Sequence, residues 1–126
     1  IYAYDHTDGC ASITGGAFVP SGLWPSAYDG AYLFADYVCG RIFSLKNGAA
    51  SSFGNGLGGV TVLEFGPYGP GQALYYATYN NGGEIRRITT NRGPVADAKA
   101  NPTYGLTPLT VAFDGTGSSD PDGESL

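Results

Sequence analysis

The sequence predicts an all-β chain, and three observations carry that prediction. Of 126 residues, 21 are Gly and 8 Pro, a density of chain breakers that suits short elements joined by tight turns. Ten Tyr and six Phe supply large side chains for stacked strands, and no stretch repeats apolar residues at helical spacing. Most telling is a duplication. Residues 31–45 (AYLFADYVCGRIFSL) return about 42 residues later as 73–88 (ALYYATYNNGGEIRRI). Ala31 answers to Ala73, Phe34 to Tyr76, Ala35 to Ala77 and Tyr37 to Tyr79; past one inserted residue, Gly40 answers to Gly83 and Ile42 to Ile85. Each copy is an aromatic run, a glycine-containing turn and a second strand-like run, the pattern of a β-hairpin. A hairpin recurring every 40–45 residues has the period of a propeller blade.

Taken in order, residues 1–10 are polar and turn-like. Residues 12–19 (SITGGAFV) read as a strand whose Gly15-Gly16 pair predicts a bulge or a close neighbouring backbone. Residues 20–30 form a loop with Trp24-Pro25 at its middle, and 32–37 with 41–46 form the first hairpin. A Gly/Ser-rich stretch, 47–59, leaves room for a short outer strand near 51–53. Residues 60–65 (VTVLEF) open the second unit, 66–71 (GPYGPG) read as a turn, and 74–79 with 84–89 form the second hairpin. Neither hairpin alternates cleanly between apolar and polar, so both are expected to be covered on two faces. Two such units cannot close a ring, which takes about four to eight. From residue 91 the composition shifts: 91–94 read as a linker, 95–100 and 109–113 as strands, and 114–126 as a Gly, Ser and Asp-rich tail. The expected division is 1–90, a linker at 91–94, and an incomplete second domain over 95–126.

The net charge of −5 is uneven, with six acidic against five basic side chains over 1–94 and five against one over 95–126. No basic stripe suits nucleic acid, and no apolar run approaches the length of a membrane span. The start has no secretory signal pattern and no Met, so the chain is expected to begin inside a longer protein. Cys10 and Cys39 form no zinc-type cluster. An antiparallel pair puts the start of one strand beside the end of the next, which brings these two residues within reach of a disulfide; two buried free thiols are the alternative. A bridge over so long a loop would contribute about 3–4 kcal/mol in the chain-entropy account and would imply an oxidising compartment.

The segments YDH (4–6), CASITGGAFVPSGLWP (10–25), YDGAYLFADYVCGRIFSL (28–45) and ALYYATYNNGGEIRRI (73–88) resemble the final blades of the glucose/sorbosone dehydrogenase family. Its members are six-bladed β-propellers, many of which bind pyrroloquinoline quinone (PQQ) and oxidise sugars. Cys10 and Cys39 match a cysteine pair of many secreted members; GPYGPG at 66–71 departs from a shorter family turn. Residues 94–126 (PVADAKANPTYGLTPLTVAFDGTGSSDPDGESL) resemble the opening of a polycystic-kidney-disease-type (PKD) domain, an immunoglobulin-like β-sandwich. The resemblance implies the last two blades of a propeller joined to the first strands of a sandwich. It also implies a secreted, extracellular or periplasmic parent that passes hydride from a sugar hydroxyl to PQQ, with the upstream blades missing. A non-catalytic carbohydrate- or protein-binding propeller is the alternative.

In such propellers the loops around 1–10, 37–41, 54–59 and 79–83 share the face that carries the ligand funnel. His6, the only histidine, is therefore a candidate contact to a PQQ carboxylate or a sugar hydroxyl, against the plainer reading of a surface residue in a polar turn. Tyr79, Asn80 and Asn81 are candidates for stacking on and hydrogen-bonding a sugar, although an ordinary hairpin turn explains Asn-Asn-Gly-Gly as well. The family's proton-abstracting histidine belongs to an early blade, so no residue here is assigned to catalysis and the chain alone is expected to be inactive. Arg86 and Arg87 point to opposite faces and read as structural, and Trp24 reads as a packing anchor. Calcium accompanies PQQ in the family, but Asp120, Asp122 and Gly123 (DPDG) place the glycine too early for a calcium loop and read as a turn.

Overall fold

A computed structural model describes residues 1–6 and 8–126; Thr7 lies outside the described residues. The chain is all-β: the described residues form nine strands and one 3₁₀ turn at Asn80–Gly82, and no α-helix. It divides into two compact units, residues 1–90 and 91–126.

The first unit contains two sheets. Strands β1 (Ile13–Phe18), β2 (Tyr32–Asp36), β3 (Arg41–Lys46) and β4 (Ala49–Gly54) form an antiparallel meander in chain order, and β5 (Val60–Tyr68), β6 (Gly71–Thr78) and β7 (Glu84–Ile88) form a second. The two copies of the repeat therefore lie in separate sheets. Their pairing is equivalent: Ala35 faces Ile42 across β2 and β3, and Ala77 faces Ile85 across β6 and β7.

The sheets share one apolar core. Leu33, Ala35 and Ile42 from the first cluster with Val60, Leu63, Leu74 and Tyr76 from the second. Each Leu or Ile buried this fully contributes about 1.5–3 kcal/mol. Trp24 anchors the 20–30 loop in the same core, its ring edge-on to Phe65 at 5.3 Å. The strands that open each sheet, β1 and β5, come closest. Thr14 Oγ1 donates to the Val60 carbonyl at 2.6 Å. The register of β1 shifts between Thr14 and Gly16, and a Cβ on Gly15 (φ +39°) would stand 2.8 Å from both Val62 Cα and Leu63 N. The glycine pair is thus both a bulge and a close backbone approach.

The first sheet's other face is aromatic. Phe34 stacks on Phe43 at 5.2 Å, and the N-terminal segment lays Tyr4 edge-on against both rings. The outward face of the second sheet, with Val62 and Ile85, is open, although in the repeat it corresponds to the first sheet's core face.

Three strands are longer than their sequence suggested. β5 and β6 run on to Tyr68 and from Gly71, so only Gly69-Pro70 turns the chain. Pro67 is tolerated within β5 because β5 is an edge strand of its sheet, where a missing N–H costs no ladder bond. The outer strand β4 spans six residues, not three.

In the second unit, β8 (Lys99–Asn101) pairs with β9 (Ala112–Asp114), and Val95 bridges to Ser119. These pairings are shorter than the strands expected at 95–100 and 109–113. Side-chain bonds hold the rest. Arg92 Nε donates to Asp122 Oδ1 at 2.8 Å, and the Asp122 N–H donates to Asp120 Oδ1 at 2.7 Å. DPDG is therefore a turn whose second carboxylate is given to an arginine. Tyr104, Leu106 and Phe113 remain exposed.

Candidate functional site

The turn of the first hairpin is built around a buried carboxylate. Asp36 closes β2 in an otherwise apolar run and is fully buried. Its Oδ1 accepts the N–H groups of Val38 (2.9 Å) and Cys39 (3.0 Å); its Oδ2 accepts the Ser12 N–H (2.8 Å) and the Tyr4 hydroxyl (3.1 Å). Burial pushes the Asp36 carboxyl up. The N–H groups of Cys39 and Ser12, the Tyr4 hydroxyl and the Val38 N–H outweigh it, so the group titrates below the ordinary carboxylate range. Tyr4 responds in the opposite sense: burial first, then its bond to the Asp36 carboxylate, push its hydroxyl up to about 12.

Cys10 and Cys39 form a disulfide, with Cα atoms 4.9 Å apart, over the same two segments. Both sulfurs and an Asp36 oxygen lie within 4.8 Å of one another. They do not make a metal site: the sulfurs are bonded to each other, and the carboxylate is already taken by four donors.

Next to this knot lies a cleft of about 480 Å³, lined by Tyr37, Val38, Cys39, Gly40, Gly56, Gly58, Gly59 and Asn80. Three loops build it. The Leu57 N–H donates to the Gly40 carbonyl at 3.0 Å, and the Tyr79 N–H to the Gly59 carbonyl at 2.9 Å. A Cβ on Gly40 (φ +61°) would meet the Gly58 carbonyl at 2.8 Å, so this close approach depends on glycine. Tyr37 and Tyr79, equivalent in the repeat, face one another with ring centroids 6.3 Å apart.

Of the residues singled out from sequence, Asn80 lines the cleft and Tyr79 borders it through its Tyr37 contact, its ring largely exposed. Asn81 holds the 3₁₀ turn with φ 58°. His6 is exposed and sits edge-on to Tyr4 at 6.1 Å; it is not among the cleft's lining residues. Arg86 pairs with Glu84, whereas Arg87 lies 4.1 Å over the Tyr68 ring, on the opposite face. Asp36 was missed, whereas the 54–59 loop was expected on this face and supplies Gly56, Gly58 and Gly59 to the cleft. The available signal for Asp36 was an acidic residue ending an apolar strand three positions before a cysteine.

Comparison with protein-family models, with curated proteins and with solved structures found no match to this chain. Among the described residues, no helix is long and apolar enough to cross a membrane.

Proposed function

We propose that residues 1–90 are two adjacent blades of a secreted β-propeller of the glucose/sorbosone dehydrogenase kind, and that their rim cleft contacts a neutral sugar. Residues 91–126 would open a PKD-type module. The observation that carries the reading is the cleft itself: both hairpin turns and the 56–59 loop meet there around two tyrosines, one amide and the backbone of four glycines. Aromatic rings suit the apolar face of a sugar, and amide and peptide groups suit its hydroxyls. The quasi-equivalent hairpins support the propeller, and the disulfide is compatible with an extracellular setting.

The resemblance also implies PQQ, an anionic quinone. The cleft's lining does not fit that group. It offers no cationic side chain, and the Arg41 guanidinium next to it in sequence is paired to Asp8 at 3.3 Å. Sugar oxidation therefore stays a reading of the whole propeller carried by resemblance, and no step of it is assigned to these residues.

Amide-resolved NMR titration of the 126-residue chain tests the proposal. Neutral monosaccharides should shift the signals of Gly58, Gly59 and Asn80 saturably, and Asn80→Ala should weaken the response. PQQ should produce no saturable shift. Absence of any response to a sugar panel, or saturable quinone binding at the cleft, would overturn it.

A further inference from the structure

The two halves of the disulfide have unlike surroundings. Cys10 is fully buried, and the Arg41 guanidinium stands 4.0 Å from its sulfur. Cys39 is half-buried and lines the cleft. We propose that this pair is a directional thiol-exchange site: a small thiolate entering the cleft attacks Cys39, and Cys10 leaves.

The step balances without a further reagent. The thiolate's electron pair forms a new S–S bond to Cys39 Sγ while the Cys39–Cys10 bond breaks and its pair stays on Cys10 Sγ. The entering sulfur is oxidised to one half of a mixed disulfide, and Cys10 is reduced to a thiolate. The Arg41 cation, although also paired with Asp8, stands 4.0 Å from Cys10 Sγ and offsets part of the charge that develops there against the Asp36 carboxylate, which lies within 4.8 Å of both sulfurs; a stabilised leaving thiolate departs faster. Recapture of Cys39 by Cys10 reverses the step and returns the entering thiolate.

Asp36 keeps the opening local. Its carboxylate binds the Ser12 N–H on one side and the Val38 and Cys39 N–H groups on the other, so the two segments stay joined when the S–S bond is cut. What changes is the wall of the cleft. Residues 37–40 lose their covalent tie, and exchange thereby sets how stiffly the cleft is held. A disulfide serving only as a staple would instead react when the whole fold opens, with no preference between its sulfurs.

The test incubates the native 126-residue chain with reduced glutathione, quenches with N-ethylmaleimide and maps both cysteines by peptide mass spectrometry. The expected products are glutathione on Cys39 and maleimide on Cys10, at a rate proportional to glutathione concentration. Arg41→Gln should slow the exchange a few-fold, because a leaving thiol of higher pKa departs more slowly. Asp8→Asn, which releases Arg41 from its carboxylate, should not slow it. Glutathione on Cys10 or on both sulfurs equally, or a rate that does not depend on its concentration, would overturn the proposal. The mapping on the unmodified chain decides the matter even if Arg41→Gln fails to fold.

Discussion

Ile42 and Ile85 occupy the same place in two copies of one hairpin, paired across the strand with equivalent alanines, yet Ile42 is 0% exposed and Ile85 81%. Phe34 and Tyr76 are a contrasting pair, at 4% and 5% exposed. Phe34 is covered by the N-terminal tyrosines, whereas Tyr76 belongs to the core between the sheets. Local sequence thus sets the hairpin, while the neighbouring element decides which face is dry. The turns diverge in the same way. Where the first copy has Asp36 and a disulfide, the second has Thr78 and a 3₁₀ turn built on positive-φ residues. One turn is clamped and the other is held mainly by its own backbone.

Removing the clamp should have the largest effect. Asp36→Ala leaves buried donors from three segments without an acceptor and should cost about 3–5 kcal/mol in denaturant unfolding, against about 1 kcal/mol for Thr78→Ala. Equal costs would break the contrast between the turns. The same group gives the chain an acid limit. Because the folded carboxyl titrates below its unfolded value, its contribution is present at neutral pH. It fades as pH falls from roughly 4 through the folded value, because the unfolded chain takes up the proton first. Asp36→Asn should remove this portion of the acid sensitivity in pH-dependent unfolding curves.

The next contrast is between the two isoleucines. Ile42→Ala should cost about 2–4 kcal/mol by opening a cavity, and Ile85→Ala should stay within about 0.5 kcal/mol. At high pH the sign reverses for Tyr4. Its folded hydroxyl is raised to about 12, so its contribution is complete below the ordinary tyrosine value of roughly 10 and is lost as pH rises from there to about 12. Ultraviolet titration should show one late-ionising tyrosine that Tyr4→Phe deletes and Asp36→Asn shifts down. The open face gives a similarly small effect at Arg87: Arg87→Ala, which removes the stacking on Tyr68, should cost less than about 1 kcal/mol.

Much of this was legible in the residues. The repeat located both hairpins because strand, turn and strand are local, and Gly15-Gly16 announced the bulge because few other residues tolerate that backbone. The cysteine spacing allowed a disulfide, with free thiols as the other reading, and the structure has the disulfide. The cleft was partly legible, since Asn80 and the two matched tyrosines sit in the repeated turns. Asp36 was not, because a carboxylate in an apolar run makes sense only once its four donors, from three separate segments, are assembled around it. Nor was the exposure of Ile85, which depends on what stands next to its sheet. The 66–71 segment misled because breaker residues mark a turn without fixing its length; an edge strand could absorb Pro67. In the second unit, polar residues satisfied by side chains left shorter ladders than the apolar positions suggested.

The account depends on equivalent hairpins having unequal cover, and solvent paramagnetic relaxation reads that directly. With a soluble radical added to the methyl-labelled chain, the Ile85 methyl signals should broaden strongly while those of Ile42 stay sharp. Equal broadening of both, or protection of both, would contradict it.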